Sequence, residues 1–234
     1  MNYRIRQIGI TASTNDDAKR AAEADEDEGL VVWALKQTAG RGRHGRQWES
    51  PEGNLYCSVL LRPKITAQEF GHFSFVASLA LYDTIRDFLP QANITLKWPN
   101  DVLLNGKKVS GILLESGESW LVVGIGLNIA HYPADALYPA TSLQAEGLRQ
   151  GDLSKMLEAL LNHLRHWYET IQNGDFSPIR TAWLDRAQKG PVTVRLPNRT
   201  VEGVFAGLDD NGHLRLRLPD GSEDSIATGD VFFA

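Results

Sequence analysis

Nine consecutive residues hold the densest chemistry in this chain: Gly40-Arg41-Gly42-Arg43-His44-Gly45-Arg46-Gln47-Trp48. Guanidinium groups at this spacing suit bidentate contacts with phosphate or carboxylate. The three glycines make a poor helix and let the backbone come close to a ligand. The stretch therefore reads as a loop at an anion site, strung between apolar strands near residues 30–35 and 54–61. Gly40-x-Gly42-x-x-Gly45 matches the dinucleotide fingerprint in letters, but no amphipathic helix follows and Pro51 ends regular structure. A kinase glycine loop would need a partner lysine and a catalytic-loop pattern, and neither is present.

A second reactive stretch is Lys97-Trp98-Pro99-Asn100-Asp101. A strand over 94–97 brings Lys97 to its end, where Pro99 interrupts the ladder. Lys97 is then either an exposed strand lysine or a fixed cation beside a ligand. Asn100 and Asp101 fit turn and capping roles as well as ion contacts. Upstream, Ser13-Thr14-Asn15 are either caps for the helix that follows or hydroxyl and amide groups able to bind a small polar ring. Gly124 and Gly126 interrupt a strand over 120–129, which marks either bulges and tight helix contacts or close approach of a flat ring.

These groups need a scaffold. Asn105-Gly106 is a hairpin signal joining a strand that ends near Leu104 to a return strand over 107–115. Apolar residues from Phe70 to Phe88 give a largely buried helix over 66–89, ended by Pro90. A second amphipathic helix spans 153–171, and Ser177-Pro178 opens a third. A proline-containing loop spans 131–141. From about Gly190 the texture changes to short alternating strands over 191–196, 200–206, 213–218 and 222–227, with turns at Asp210-Asn211-Gly212 and Pro219-Asp220-Gly221. About forty-five residues are near the lower limit for an independent core, so this sheet or barrel should pack on the rest.

At 234 residues, 42% hydrophobic and 23% charged, the chain has an ordinary globular composition. A formal net charge of −5 argues against general nucleic-acid binding despite the arginines. The lone cysteine, Cys57, reads as a core residue and excludes internal disulfides. No apolar run approaches the ~18 residues of a membrane span, and no signal peptide is visible, so a cytoplasmic location is expected.

Taken together, Ser13-Thr14-Asn15, the Gly40–Trp48 loop, Lys97-Trp-Pro-Asn-Asp101, Gly111-Ile-Leu-Leu-Glu115 and Gly124-Ile-Gly-Leu-Asn128 resemble the biotin protein ligases in identity, order and spacing, along essentially the whole chain. The resemblance implies an α+β fold: a class II synthetase-like mixed sheet with helices packed on it over 1–188, and a small SH3-like barrel over 189–234. It implies two reactions. ATP and biotin give biotinyl-5'-AMP and pyrophosphate, and a lysine of a biotin carboxyl carrier protein then takes the biotin.

By resemblance, Lys97 and Arg43 carry the catalysis. Ser13, Thr14, Asn15, Gln37, Thr38, Arg41, Gly42, Arg43, Lys97 and Gly111 bind biotin, and Arg46, Trp48 and Asn128 bind ATP. Mg²⁺ is expected with ATP, without identified ligands. Position 44 is His where the family pattern often has Arg, which leaves three arginines in place. The chain begins within a few residues of its first catalytic strand, so the form without an N-terminal helix-turn-helix, and no DNA partner, is expected. A homodimer is left open. The rival readings are a lipoate or octanoate ligase of the same fold, a biotin-sensing repressor and a non-catalytic biotin-binding module.

Overall fold

The computed structural model describes residues 1–134, 136, 138–149, 151–172 and 175–233, so the proline loop expected over 131–141 falls outside the described residues at 135 and 137. Its main sheet has seven strands: β1 (Arg4–Thr11), β2 (Leu30–Gln37), β3 (Leu55–Leu61), β4 (Ile94–Lys97), β5 (Asp101–Leu104), β6 (Lys107–Ser116) and β7 (Leu121–Leu127). Their order is β1-β2-β3-β7-β6-β5-β4. Only β1 and β2 run parallel, and every other neighbouring pair is antiparallel.

Alternation along the strands sends side chains to two faces. Val31 and Trp33 join the large core under α2 (Phe73–Phe88) and α3 (Leu153–Ile171). Leu30 and Val32, one residue out of phase, join a smaller core under α1 (Thr14–Glu23), built on Ala18, Ala21 and Ala22. Small residues on this face of α1 let the helix lie close to the sheet, and its N-terminus points the Ser13–Asn15 segment at β3 and β7. No helix of the described residues is long and apolar enough to cross a membrane.

The helix expected over 66–89 is in two parts. Residues Ala67–His72 form a 3₁₀ segment, opened by Thr66, whose amide and hydroxyl both donate to the Glu69 carboxylate while the Glu69 amide donates to the Thr66 carbonyl, and α2 begins at Phe73. Gly71, a weak helix former, lies at the junction.

The C-terminal part is a five-stranded antiparallel sheet of the small SH3-like kind: β8 (Pro191–Arg195), β9 (Thr200–Leu208), β10 (Leu214–Arg217), β11 (Glu223–Ile226) and β12 (Asp230–Phe233), in the order β11-β10-β9-β8-β12. The sequence reading gave four strands and left out β12. Its Val231-Phe232-Phe233 run was the available signal. Val192, Val194, Leu214, Leu216 and Val231 of this sheet belong to the same buried cluster as Phe75, Leu96 and Trp183. The segment leading into the C-terminal sheet also meets the main sheet through the backbone: Gln188 donates to the Leu96 carbonyl at 2.8 Å. The Trp98 indole N–H donates to the Gly212 carbonyl at 3.0 Å. The Trp98–Pro99 peptide bond is cis.

Candidate active site

A cleft of about 360 Å³ runs between the main sheet, the Gly40–Trp48 loop and the start of β12. Of the residues singled out from sequence, Ser13, Thr14, Asn15, Gln37, Arg41, Gly42, Arg43, Arg46, Trp48, Lys97, Gly111 and Asn128 line it. Thr38 does not. Its hydroxyl bonds the Thr11 carbonyl across the β1–β2 ladder, and the residue is exposed. The residue lies beyond the end of β2, and Gln37 is the last of the strand to face the cleft.

One end of the cleft is polar but built from neutral groups. Ser13 stands at the N-cap position of α1 yet makes no capping bond, so the capping alternative does not hold for it. Thr14 and Asn15 lie inside the helix and turn toward the sheet. The Thr14 amide donates to Gln37 Oε1 at 2.8 Å. The Ser58 hydroxyl bonds Thr14 Oγ1 at 2.8 Å and Asn15 Oδ1 at 2.6 Å. Asn15 Nδ2 donates to Glu115 Oε2 at 2.8 Å, and Gln37 Nε2 to Ser50 Oγ at 2.9 Å. Such mutual bonds fix each amide and hydroxyl before a ligand arrives. Asn15 reaches this position because Gly124 has no side chain; a Cβ there would overlap Asn15 Oδ1.

The roof is the loop, which is folded on itself. Gly42 N–H donates to the Arg46 carbonyl at 2.7 Å, Trp48 N–H to the Gly40 carbonyl at 2.9 Å, and a short 3₁₀ turn spans Arg43–Gly45. His44 adopts a left-handed φ of 56°. Its three arginines have different surroundings. Arg41 pairs with Asp16 at 2.5 Å and Glu115 at 3.2 Å. Arg46 pairs with Asp230 through both terminal nitrogens. Arg43 reaches only neutral oxygens, Asn100 Oδ1 at 3.4 Å and Thr228 Oγ1 at 3.2 Å, with no ion pair among the described residues. Burial pushes its guanidinium below the usual arginine range, with nearby carboxylates opposing. Arg43 is thus the loop cation whose charge is least compensated.

Trp48 follows. Gly111 and Gly126 are register partners on β6 and β7, and the indole lies on both. A Cβ on Gly126 would come within 2.6 Å of the ring, and one on Gly111 within 3.0 Å. Gly124 therefore makes the tight helix contact expected of one reading, while the ring that Gly126 admits is the chain's own Trp48 indole.

The other end of the cleft holds two ammonium groups around one carboxylate. Asp101 lies 2.5 Å from Lys108 Nζ and 3.5 Å from Lys97 Nζ. The Lys97 side chain is only 8% exposed, against 23% for Lys108, and the Tyr138 ring covers its ammonium at 4.1 Å. Burial holds Lys97 below the ordinary lysine range, opposed by Asp101. Lys108 is the more reachable cation, and it lies 5.6 Å from the centre of the Trp48 ring. Asn128 is buried, its side chain donating to the Thr141 carbonyl at 3.1 Å.

Sequence reasoning missed Lys108, Ser58, Tyr138 and Asp230, and named Glu115 within a motif without giving it a role. Lys108 sits seven residues beyond Asp101 across the Asn105-Gly106 hairpin, where its register partner is Leu103, and its side chain reaches Asp101 diagonally past an irregularity in the β5–β6 ladder. Asp230 had no local signal.

The residues fit a family already described in sequence terms. The chain belongs to the biotin/lipoate A/B protein ligase family, whose model matches residues 8–129. The biotin protein ligase C-terminal domain model matches residues 191–234. Within that family, the biotin--[acetyl-CoA-carboxylase] ligase of Paracoccus denitrificans is 41% identical over 97% of this chain and 99% of its own length. The enzyme of the same description from Mycobacterium tuberculosis is 36% identical over 97% and 88%. The biotin protein ligase of Aquifex aeolicus, solved in complex with biotin and ATP, superposes with a TM-score of 0.84 at 27% identity, over 98% of this chain and 97% of that one.

Proposed function

We infer that this chain is an ATP-dependent biotin protein ligase, which makes biotinyl-5'-AMP and transfers the biotin to a lysine of a biotin carboxyl carrier protein. One observation carries the reading: the cleft has a prebuilt neutral hydrogen-bonding pocket at one end and incompletely neutralised cations at the other, roofed by a single loop. A ureido ring, with one acceptor oxygen and two N–H donors, matches the Ser13, Thr14, Asn15 and Gln37 groups. A lipoyl dithiolane ring has no such donors or acceptors to meet them.

In the first step a biotin carboxylate oxygen attacks the α-phosphorus of ATP. The new O–P bond replaces the bond to the β-phosphate bridging oxygen, and pyrophosphate leaves. Negative charge accumulates on the α-phosphate oxygens, and preorganised cations stabilise it. Arg43 on the loop and Lys108 on β6 supply them, with Lys97 fixed behind Asp101 as a second source of positive field. Arg41, held by Asp16 and Glu115, secures the loop above the biotin carboxyl end, and Gly42 and Gly111 allow close backbone approach. Trp48, Arg46 and Asn128 form the nucleotide end. In the second step the carrier lysine amine attacks the acyl carbon, AMP departs with the bridging oxygen, and the ammonium proton is lost to solvent.

The acidic residues lining the cleft are Glu49, Asp101 and Asp230 among the described residues. Asp101 is engaged by two lysines and Asp230 by Arg46, and no group of three or more metal-binding side chains occurs among the described residues. The cleft fits Mg²⁺ brought in on the phosphates and water of ATP, where it supplies charge neutralisation, rather than an ion held by the protein. The test is to mix the protein with ATP, Mg²⁺, biotin and a carrier domain and weigh the carrier. A gain of one biotin is expected. Labelling with lipoate instead, or no labelling and no biotin-dependent pyrophosphate exchange by folded protein, would overturn the reading.

A further inference from the structure

The Gly40–Trp48 loop is held from two sides, and its second anchor comes from the far end of the chain. Its 3₁₀ turn buries none of its residues, so residues 42–47 depend on polar contacts for their position. On one side Arg41 binds Asp16 of α1 and Glu115 of β6. On the other, Arg46 meets Asp230, with Nη1 to Oδ1 at 3.0 Å and Nη2 to Oδ2, and Arg43 Nη2 meets Thr228 Oγ1. Both of these partners lie where the chain enters β12, which is itself firmly placed. Asp230 and Val231 pair with Arg195 and Val194 of β8. Val231 is buried, and Phe232 stacks on Tyr138 with ring centres 4.9 Å apart.

We propose that Asp230 is a positioning residue that holds the loop over the cleft through Arg46, so that the C-terminal sheet sets how long the acyl-adenylate is retained. The retention part rests on the function inferred above; the loop part does not. Asp230 touches no reacting atom in this scheme. It acts through Arg46 by fixing the guanidinium in a bidentate contact, the geometry that gives an arginine pair most of its orientation. The pair is partly exposed, with side-chain exposures of 43% for Arg46 and 23% for Asp230, so solvent screens it and the effect is moderate.

The test uses the full chain. The amide protons of Gly42 and Arg46, both bonded within the loop, report its closure by hydrogen exchange in NMR. In Asp230→Asn these two amides should exchange roughly three- to tenfold faster, while amides of β3 and β7 keep their protection. Arg46→Gln should have the same effect, and the double variant no more than either alone. The exchanged pair, Arg46→Asp with Asp230→Arg, should recover at least half of the protection. High salt should speed exchange in the wild type more than in Asp230→Asn, where only the Arg41 pairs remain to be screened. In a chase with unlabelled biotin, preformed acyl-adenylate should leave Asp230→Asn roughly three- to tenfold faster. Unaltered exchange in both single variants, or an exchanged pair as unprotected as they are, would overturn the anchor. Faster exchange with unaltered adenylate release would overturn its role in retention. If the wild type makes no adenylate, the function falls while the amide measurements still decide the anchor.

Discussion

Gly111 and Gly126 face each other across β6 and β7, and together they form the floor on which Trp48 rests. A side chain at either position would occupy the space of the indole. The roof of the cleft is thus positioned by what the sheet lacks. Gly126→Ala is expected to displace Trp48 and raise the KM for ATP roughly tenfold, a loss of about 1.4 kcal/mol, with biotin affinity changed less than threefold. Steady-state kinetics and calorimetric biotin titration measure the two. An unchanged KM for ATP would show that the ring does not depend on the glycine floor.

Arg43 is the loop arginine without an ion pair among the described residues, so its charge is available to an acyl phosphate. Arg43→Gly should still form adenylate, because Lys97 and Lys108 remain, but should hold it less well. Losing one charged hydrogen bond of about 1.5–3 kcal/mol lets the intermediate escape roughly ten to a hundred times more readily. The expected result is biotin on lysines of an unrelated bystander protein, mapped by mass spectrometry, where the wild type labels the carrier alone. A variant that is slower but still confined to the carrier would assign Arg43 to catalysis only.

The two lysines around Asp101 give a pH signature. Burial, ahead of the opposing Asp101, lowers the Lys97 pKa, and the charged form is the working one. Activity therefore falls as pH rises through that pKa, earlier than for an ordinary lysine. Bound triphosphate favours the charged form and moves the pKa back up. The basic limb of kcat/KM, which reports the free enzyme, should lie below that of kcat. Lys97→Arg, which stays protonated, should remove this limb from both profiles. Lys97→Ala and Lys108→Ala should each slow adenylate formation by roughly two to three orders of magnitude. Coincident basic limbs in the wild type would remove Lys97 from the titration.

The C-terminal sheet shares its core with the main sheet. A chain ending at Gln188 would uncover Trp183, Phe75 and Leu96. Its melting temperature should fall by roughly 10 °C, corresponding to several kcal/mol at two to four degrees per kcal/mol, and pyrophosphate exchange should fall further than biotin binding. Scanning calorimetry and exchange assays test this. A truncated chain melting with the full one and active in both steps would detach the barrel from the mechanism.

Much of the site was legible in sequence because its groups travel in short motifs. Ser13-Thr14-Asn15, Gly40–Trp48 and Lys97–Asp101 each bring several polar or charged residues together within a few positions; local composition marks the loop, whereas Ser13-Thr14-Asn15 and Lys97 keep an ordinary capping or strand reading until the motifs are taken together. Lys108 was hidden because it looks like any strand lysine, paired with Leu103 in the hairpin, until its side chain is seen to reach diagonally to Asp101. Asp230 was hidden for another reason: its partner Arg46 is 184 positions away, and no local pattern encodes such a pairing. Thr38 came with the family resemblance, but it lies just beyond the end of β2, exposed, with its hydroxyl on the Thr11 carbonyl instead of in the cleft. The helix expected over 66–89 was periodic enough to find, while its 3₁₀ beginning was decided by Gly71 and the Thr66–Glu69 box.

The distance in sequence between Arg46 and Asp230 also bears on how the protein comes into being and how long it lasts. Contacts spanning 184 positions, and the 100 between Asn15 and Glu115, pay their loop-closure entropy before any reward, so the cleft is expected to assemble late. What assembles last at small gain is also what opens first. Substrate filling the cleft counters this by mass action, adding about 2.7 kcal/mol when free ligand stands at a hundred times its dissociation constant. Resistance to proteolysis should therefore rise with the supply of biotin and ATP, as limited digestion with and without the two would measure.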